Sequence, residues 1–224
     1  MTPDEAPSKT PVAVLVSGSG SNLQALLDAA ADPAYPARIA VVLSNRPRAY
    51  ALERAHRAGV PTEVLPHRGY ARREDYDAAL LERLAPHAPR WVCLAGFMRL
   101  LTPVFLDAFP WRILNVHPAL LPAFPGIHGP RQALAAGVRI AGCTVHLVDP
   151  GTDTGPILAQ AAVPVREGDD EAALAARILR TEHQLYPRVL RWAVEGRIHV
   201  EAPRAEIDLP TGEERFLLAG ERSS

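Results

Sequence analysis

Asn115, His117 and Asp153 are residues whose chemical types could together move an acyl carbon. The first two stand in Asn115-Val116-His117-Pro118-Ala119-Leu120-Leu121-Pro122, directly after the apolar pair Ile113-Leu114, which reads as a buried strand. Two residues apart on a strand end, their side chains project from one face. An amide can hold a developing oxyanion, and an imidazole can hold or move a proton. Asp153, in Val148-Asp149-Pro150-Gly151-Thr152-Asp153-Thr154-Gly155, brings a carboxylate from a separate loop. Taken singly, each has a structural use: an amide tying down a loop, a hydrogen-bonded core histidine, a turn former between glycines. Grouped beside a double-proline turn, they read as a site.

Two further stretches follow strand-like runs. Gly18-Ser19-Gly20-Ser21-Asn22 lies between a strand and a helix, where free N–H groups at the helix N-terminus can receive an anion. Leu23 replaces the third glycine of a dinucleotide fingerprint, and no lysine completes a Walker loop. What is left is a cradle for one phosphate, or equally a plain turn capped by Ser21 or Asn22. Ala95-Gly96-Phe97-Met98-Arg99-Leu100-Leu101 follows another strand at its C-terminal end, where ligands of α/β proteins bind. It could receive a flat heterocycle through backbone hydrogen bonds; simple core packing is the other reading.

The elements that must position these residues alternate. Strands are expected over 12–16, 39–43, 62–65, 91–95, 113–116, 143–148 and 157–165. Helices are expected over 23–30, 50–58, 74–84, 103–108, 131–136 and 171–194. Pro187 should kink or split the last helix. A short strand after Arg197 and fraying charged turns complete the reading. The alternation predicts an α/β fold: a Rossmann-like, mostly parallel twisted sheet with helices on both faces, partly antiparallel toward the C-terminus.

At 224 residues, 48% apolar and 22% charged, the chain has the composition of a globular protein. A net charge of −1 argues against nucleic-acid backbone binding. Cys93 and Cys143 form no disulfide framework, and Cys93 sits in an apolar run. His56, His67, His87, His128, His146, His183 and His199 show no zinc-type pairing, so no metal is expected. No GxSxG elbow marks a serine hydrolase. Residues 1–9 lack the apolar core of a signal peptide, and no run reaches membrane-spanning length, so a cytoplasmic protein is expected.

In order and spacing, the blocks Gly18-x-Gly20-Ser21-Asn22-Leu23-Gln24-Ala25, Ala95-Gly96-Phe97-Met98-Arg99, Asn115-x-His117-Pro118-x-Leu120-Leu121-Pro122 and Asp153-x-Gly155-Pro156 resemble the phosphoribosylglycinamide formyltransferases. The resemblance runs from Val12 to Thr181-Glu182-His183. It implies transfer of the formyl group of 10-formyltetrahydrofolate, as co-substrate, to glycinamide ribonucleotide in purine biosynthesis. It implies no tightly bound cofactor, no nucleic-acid or membrane partner, and a monomer or homodimer. Asn115, His117 and Asp153 match the family's catalytic trio, and Gly20, Ser21, Asn22 and Glu182 its nucleotide site. Arg73, Met98, Arg99, Leu100, Leu101, Asn115, Asp149, Pro150, Gly151, Thr152 and Asp153 match its folate site.

The resemblance also implies one formyltransferase domain over 11–210, its first half holding the nucleotide and its second completing the folate pocket. Residues 1–10 are then a flexible extension and 211–224 a tail. Ser19, Ala119, Ala123 and Gly129-Pro130 depart from the family pattern, the last in a turn near the site. Two alternatives stand beside this reading. One is a formyltetrahydrofolate deformylase-like hydrolase, which usually has a second histidine where Pro118 stands and carries an extra N-terminal domain. The other is a non-catalytic nucleotide- or folate-binding protein, for which retention of the trio has no use.

Overall fold

A computed structural model describes residues 9–218. The elements are β1 (Thr10–Val16), α1 (Ser21–Ala31), β2 (Ala37–Ser44), α2 (Tyr50–Arg57), β3 (Thr62–Val64), α3 (Arg73–Leu84), β4 (Trp91–Ala95), α4 (Pro103–Leu106) and β5 (Ile113–His117). They continue with α5 (Gly129–Ala135), β6 (Ile140–Leu147), β7 (Ile157–Pro164), α6 (Glu171–Val194), β8 (Ile198–Glu201), β9 (Arg204–Ile207) and β10 (Phe216–Leu218). Eight strands form one sheet in the order β10-β7-β6-β5-β4-β1-β2-β3, and β8 pairs with β9 in a separate antiparallel ribbon.

From β3 to β5 the strands are parallel, in the doubly wound order 3-2-1-4-5. The chain reverses its direction of winding between β1 and β4. In doubly wound sheets ligands bind beyond the strand C-termini at such a point. β6 and β7 then run antiparallel, and β10 closes the edge parallel to β7. The fold is the mixed, Rossmann-like α/β architecture expected from the alternation.

β1 shows why the apolar runs are unbroken. Val12, Val14 and Val16 pack into the core under α1 and α6, while Ala13 and Leu15 face Tyr76, Leu80 and Phe105 of α3 and α4. A strand buried on both faces has no polar alternation to display. The same two-sided burial places the ends of β1, β4 and β5 side by side, each followed by polar loop residues.

Several boundaries differ from expectation. β1 begins at Thr10, and Lys9 anchors its start through Nζ donating to the Ala30 and Asp32 carbonyls. The expected flexibility of residues 1–8 falls outside the described residues. β6 begins at Ile140, ahead of its apolar run, because Gly142 permits close approach: an added Cβ there would overlap the Ala161 carbonyl oxygen.

α6 is not split at Pro187. Leu185, Tyr186, Val189, Leu190 and Trp192 are buried on both sides of it, and that packing offsets the roughly 3 kcal/mol of an interior proline. Residues 213–218, the described part of the charged tail beyond its turn, are held against the sheet. Arg215 Nε and Nη2 donate to the carbonyls of Leu158 and Ile157, each at 2.9 Å, and align β10 along β7.

Candidate active site

The N-terminus of α1 opens directly beyond β1. Gly20 holds the left-handed conformation (φ 72°) and takes the N-cap position without a side-chain cap. Neither Ser21 nor Asn22 caps the helix, so its first-turn N–H groups remain open to an anion. A Cβ on Gly20 would lie 2.6 Å from the Ala51 Cβ, so only glycine fits this turn. Arg54 braces the loop from outside, with Nε donating to the Ser19 carbonyl at 2.9 Å.

Asn22 Nδ2 donates to Glu182 Oε2 at 2.7 Å, bringing together α1 and α6 across 160 residues. Glu182 is 5% exposed, and burial raises its pKa against the lowering effect of that amide. His183 lines the neighbouring cavity with Ser21, Gln24 and Arg54; burial and then the Arg54 charge push its imidazole pKa down.

The second cavity lies beyond β4 and β5. Arg99, Leu100 and Leu101 line it with Asn115, His146 and Asp153, joined by Asp149 and Gly151 and by the apolar Leu94, Phe97 and Val148. Arg73 acts from outside, with Nη2 donating to the Leu100 carbonyl at 2.8 Å. The Arg99 guanidinium sits 4.6 Å over the Tyr76 ring. Met98, Pro150 and Thr152 are exposed and do not line this cavity.

Asn115, His117 and Asp153 converge, and His146 joins them. In the β5–β6 pairing Asn115 faces His146 and His117 faces Thr144. His146 Nδ1 donates to the Leu147 carbonyl at 2.8 Å, which leaves Nε2 to accept from Asn115 Nδ2 at 3.1 Å. The second Asn115 N–H is not engaged by this contact. His117 is 4% exposed, with Nε2 donating to the Phe124 carbonyl at 2.9 Å and Nδ1 lying 3.4 Å from Asp153 Oδ2. A protonated ring satisfies both contacts, whereas a neutral ring turns one lone pair toward an acceptor.

Asp153 takes a left-handed backbone (φ 55°), a conformation that aspartate tolerates better than most residues. Its loop is braced internally: Asp149 Oδ1 accepts from Thr154 Oγ1 at 2.7 Å and from the Gly151 N–H at 3.1 Å. Gly155 is pressed against the Leu147 carbonyl, where a Cβ would overlap. The Gly126 N–H donates to Asp153 Oδ2 at 2.8 Å.

Burial alone would raise the Asp153 pKa. The His146 side chain, the Gly126 N–H and electrostatic attraction to the two imidazoles outweigh it, and the net shift is downward from 3.8. A carboxyl with a depressed folded pKa contributes stability above its unfolded pKa, and that contribution is lost as pH falls through the folded value. Urea titrations of native and Asp153→Asn protein should therefore show a stability difference at pH 7 that shrinks once pH drops below 3.8. A difference independent of pH would contradict this linkage.

The double-proline turn is held by a buried polar group that spacing did not reveal. Thr144 Oγ1 donates to the Ala119 carbonyl at 2.7 Å and accepts from the Leu121 N–H at 3.0 Å. Gln160 Nε2 donates to the Leu121 carbonyl at 2.9 Å and to Thr144 Oγ1 at 3.0 Å. The Leu121-Pro122 peptide is cis. At the departing Gly129-Pro130, the glycine packs where a Cβ would meet the Pro118 carbonyl at 2.8 Å. Gln132 of α5 ties this loop to the Pro125 and Ile127 carbonyls. His146, Thr144 and Gln160 escaped sequence reading because only strand pairing brings them to the trio.

Cys93 and Cys143 are buried, and burial pushes both thiols up to about 12, which removes them as nucleophiles. Among the described residues no group of histidine, cysteine and carboxylate side chains could hold a metal ion, and no helix is long and apolar enough to cross a membrane.

A doubly wound sheet that brings an uncapped helix N-terminus, a cavity and an amide–imidazole–carboxylate cluster to the C-terminal edge of its parallel strands has the form of a group-transfer class of protein. The formyl transferase family matches residues 10–190, and the chain belongs to it. More particularly, it is 43% identical over 197 residues to the phosphoribosylglycinamide formyltransferase of Escherichia coli, covering 88% of this chain and 93% of that one. It is 49% identical over 187 residues to the trifunctional purine biosynthetic protein adenosine-3 of Drosophila melanogaster, covering 83% of this chain but only 14% of that protein. The crystal structure of glycinamide ribonucleotide transformylase 1 from Symbiobacterium toebii superposes with a TM-score of 0.88 at 51% identity, covering 91% of this chain and 95% of that one.

Proposed function

We propose that this chain transfers the formyl group of 10-formyltetrahydrofolate to the primary amine of 5-phosphoribosylglycinamide. The products are formylglycinamide ribonucleotide and tetrahydrofolate, a step of de novo purine biosynthesis. What carries the reading is that adjacent parallel strands bring an uncapped helix N-terminus, beyond β1, and a cavity lined in part by Asn115 and Asp153, beyond β4 and β5, to the same edge of the sheet. The first-turn N–H groups at Gly20, Ser21 and Asn22 suit the phosphate, and Glu182 suits ribose hydroxyls once its contact with Asn22 is exchanged. Residues 99–101 and the 149–153 loop suit the folate ring.

The neutral amine attacks the formyl carbon, forming a C–N bond and placing negative charge on the former carbonyl oxygen. The free N–H of Asn115 donates to that oxygen. His117 reaches it only after Nε2 exchanges the Phe124 carbonyl for the oxyanion, so the 118–126 loop must shift as substrate enters. Asp153 holds the imidazolium, and through water it carries the amine proton toward N10 as the C–N10 bond breaks. No covalent enzyme intermediate and no tightly bound cofactor are required. Both substrates are water-soluble, and we assign the reaction to the cytoplasm, by a monomer or homodimer.

Folate absorbance on mixing both substrates tests this reading directly. Formyl transfer that requires the amine is the expected result. Formate release in its absence would instead favour a deformylase, and no turnover of either kind would leave a binding protein.

A further inference from the structure

Residues 98–102 lie between β4 and α4 and belong to neither. Their backbone is nonetheless tied at three points. The Met98 N–H donates to Ser17 Oγ at 2.9 Å, the Leu100 carbonyl accepts from Arg73 at 2.8 Å, and the Thr102 N–H donates to Asp77 Oδ2 at 2.6 Å. Among the described residues, the N–H and C=O groups of Arg99 and Leu101 have no hydrogen-bond partner in the protein. Arg99 and Leu101 line the second cavity. Backbone groups left unpaired on a cavity wall are open to a ligand that carries matching donors and acceptors.

The ties come from matched geometry. Arg73 and Asp77 are one helical turn apart on α3, on the same face. Four helical residues advance about 6 Å. Two residues of extended chain advance about 6.6 Å. One helix can therefore present a donor and an acceptor to backbone groups two residues apart. Asp77 is 1% exposed, and the Thr102 N–H is the hydrogen-bond donor the structure gives it. Ser17 is 3% exposed; its hydroxyl donates to Asn45 Oδ1 at 2.7 Å, which leaves a lone pair for Met98. Asn45 is oriented in turn by His67 Nδ1 at 3.3 Å.

We propose that Ser17 and Asp77 are positioning residues that, with Arg73, fix residues 98–102 as a rigid edge whose free backbone groups read the flat, nitrogen-rich ring of the formyl donor. The proposal rests on the formyl-transfer reading above and deepens it. Neither residue touches the donor; each acts through the backbone it holds. Tying this edge in advance removes an ordering cost from donor binding, so losing a tie weakens donor affinity rather than the chemical step.

Calorimetric binding of 10-formyl-5,8-dideazafolate, a stable quinazoline analogue of the donor, to the full chain tests this. Asp77→Leu should weaken analogue affinity by about tenfold or more, and Ser17→Ala by about threefold to tenfold, as expected for a charged and a neutral hydrogen bond. The KM for the donor should rise in step, with kcat at saturating donor falling by less than about threefold and nucleotide affinity retained. Asp77→Asn, which keeps an acceptor for the Thr102 N–H, should restore most of the affinity. Amide hydrogen exchange should quicken at Thr102 in Asp77→Leu and at Met98 in Ser17→Ala, a reading that needs no ligand.

Unchanged analogue affinity in both Ser17→Ala and Asp77→Leu, with native protein binding normally, would overturn the positioning role and leave the transfer reading intact. Equal losses in Asp77→Leu and Asp77→Asn would also overturn it. Native protein that binds no analogue would bring down both.

Discussion

Replacement of His117 by alanine is expected to lower turnover by at least about 100-fold, the usual cost of losing one oxyanion donor, while nucleotide affinity stays within roughly twofold. The imidazole has contacts on both nitrogens, so its removal frees the Phe124 carbonyl and Asp153 together. Asp153 would keep its Gly126 N–H contact but lose one of its two flanking imidazoles. Asn115→Ala removes the amide that faces His146, and Asp153→Ala removes the carboxylate between the two imidazoles. Both should collapse turnover in the same way. Because the three act on one intermediate, the paired variants should lose far less than the product of the single losses. Single-turnover rates with both substrates saturating, beside nucleotide binding measured alone, give the comparison. Full activity in all three single variants would sink the assignment.

Gly20→Ala should damage the opposite side of the site. The position requires a left-handed backbone, and the new Cβ would press on Ala51, 2.6 Å from its Cβ and 2.7 Å from its Cα. The expected cost is about 1–3 kcal/mol of stability. Phosphomonoester affinity should fall at least about tenfold as the first-turn N–H groups are turned away. Gly18→Ala is the contrast: its Cβ meets nothing within 4 Å and its φ is not left-handed, so denaturant midpoints should separate the two variants cleanly. Equal midpoints would show that the cradle tolerates a shift of α2 and does not depend on glycine at position 20.

Much of this was legible in the chain because its signals are local. Runs such as 12–16 and 91–95 are apolar throughout, as strands covered on both faces must be, and they predict a parallel sheet with helices on each side. Asn115 and His117 share a strand face by their spacing alone. The glycine at position 20 reads as a turn before any contact is known.

Other features depended on distant chain. His146 reaches Asn115 only through antiparallel pairing, and nothing at positions 140–148 shows which residue of β5 it will meet. Pro187 looked like a helix breaker because propensity is local, whereas the packing that carries α6 through it comes from the sheet beneath. The tail looked polar because its hold on the sheet runs through Arg215 and the backbone, not through an apolar stripe.

The pairing of β5, β6 and β7 has a consequence for how the chain finds its structure. His117, Thr144 and Gln160 form one rung across the three strands, and Asn115 with His146 forms part of the next rung on the same face. A slip of β6 by one residue would reverse every side chain. Thr144 and His146 would be forced into an apolar interior without partners, and Val145 would be turned to face the cavity. The residues that shape the reaction centre thus also act as a check on assembly: a misaligned sheet is penalised most at the positions where misalignment would abolish activity. Selection for turnover and selection for faithful folding bear here on the same few side chains.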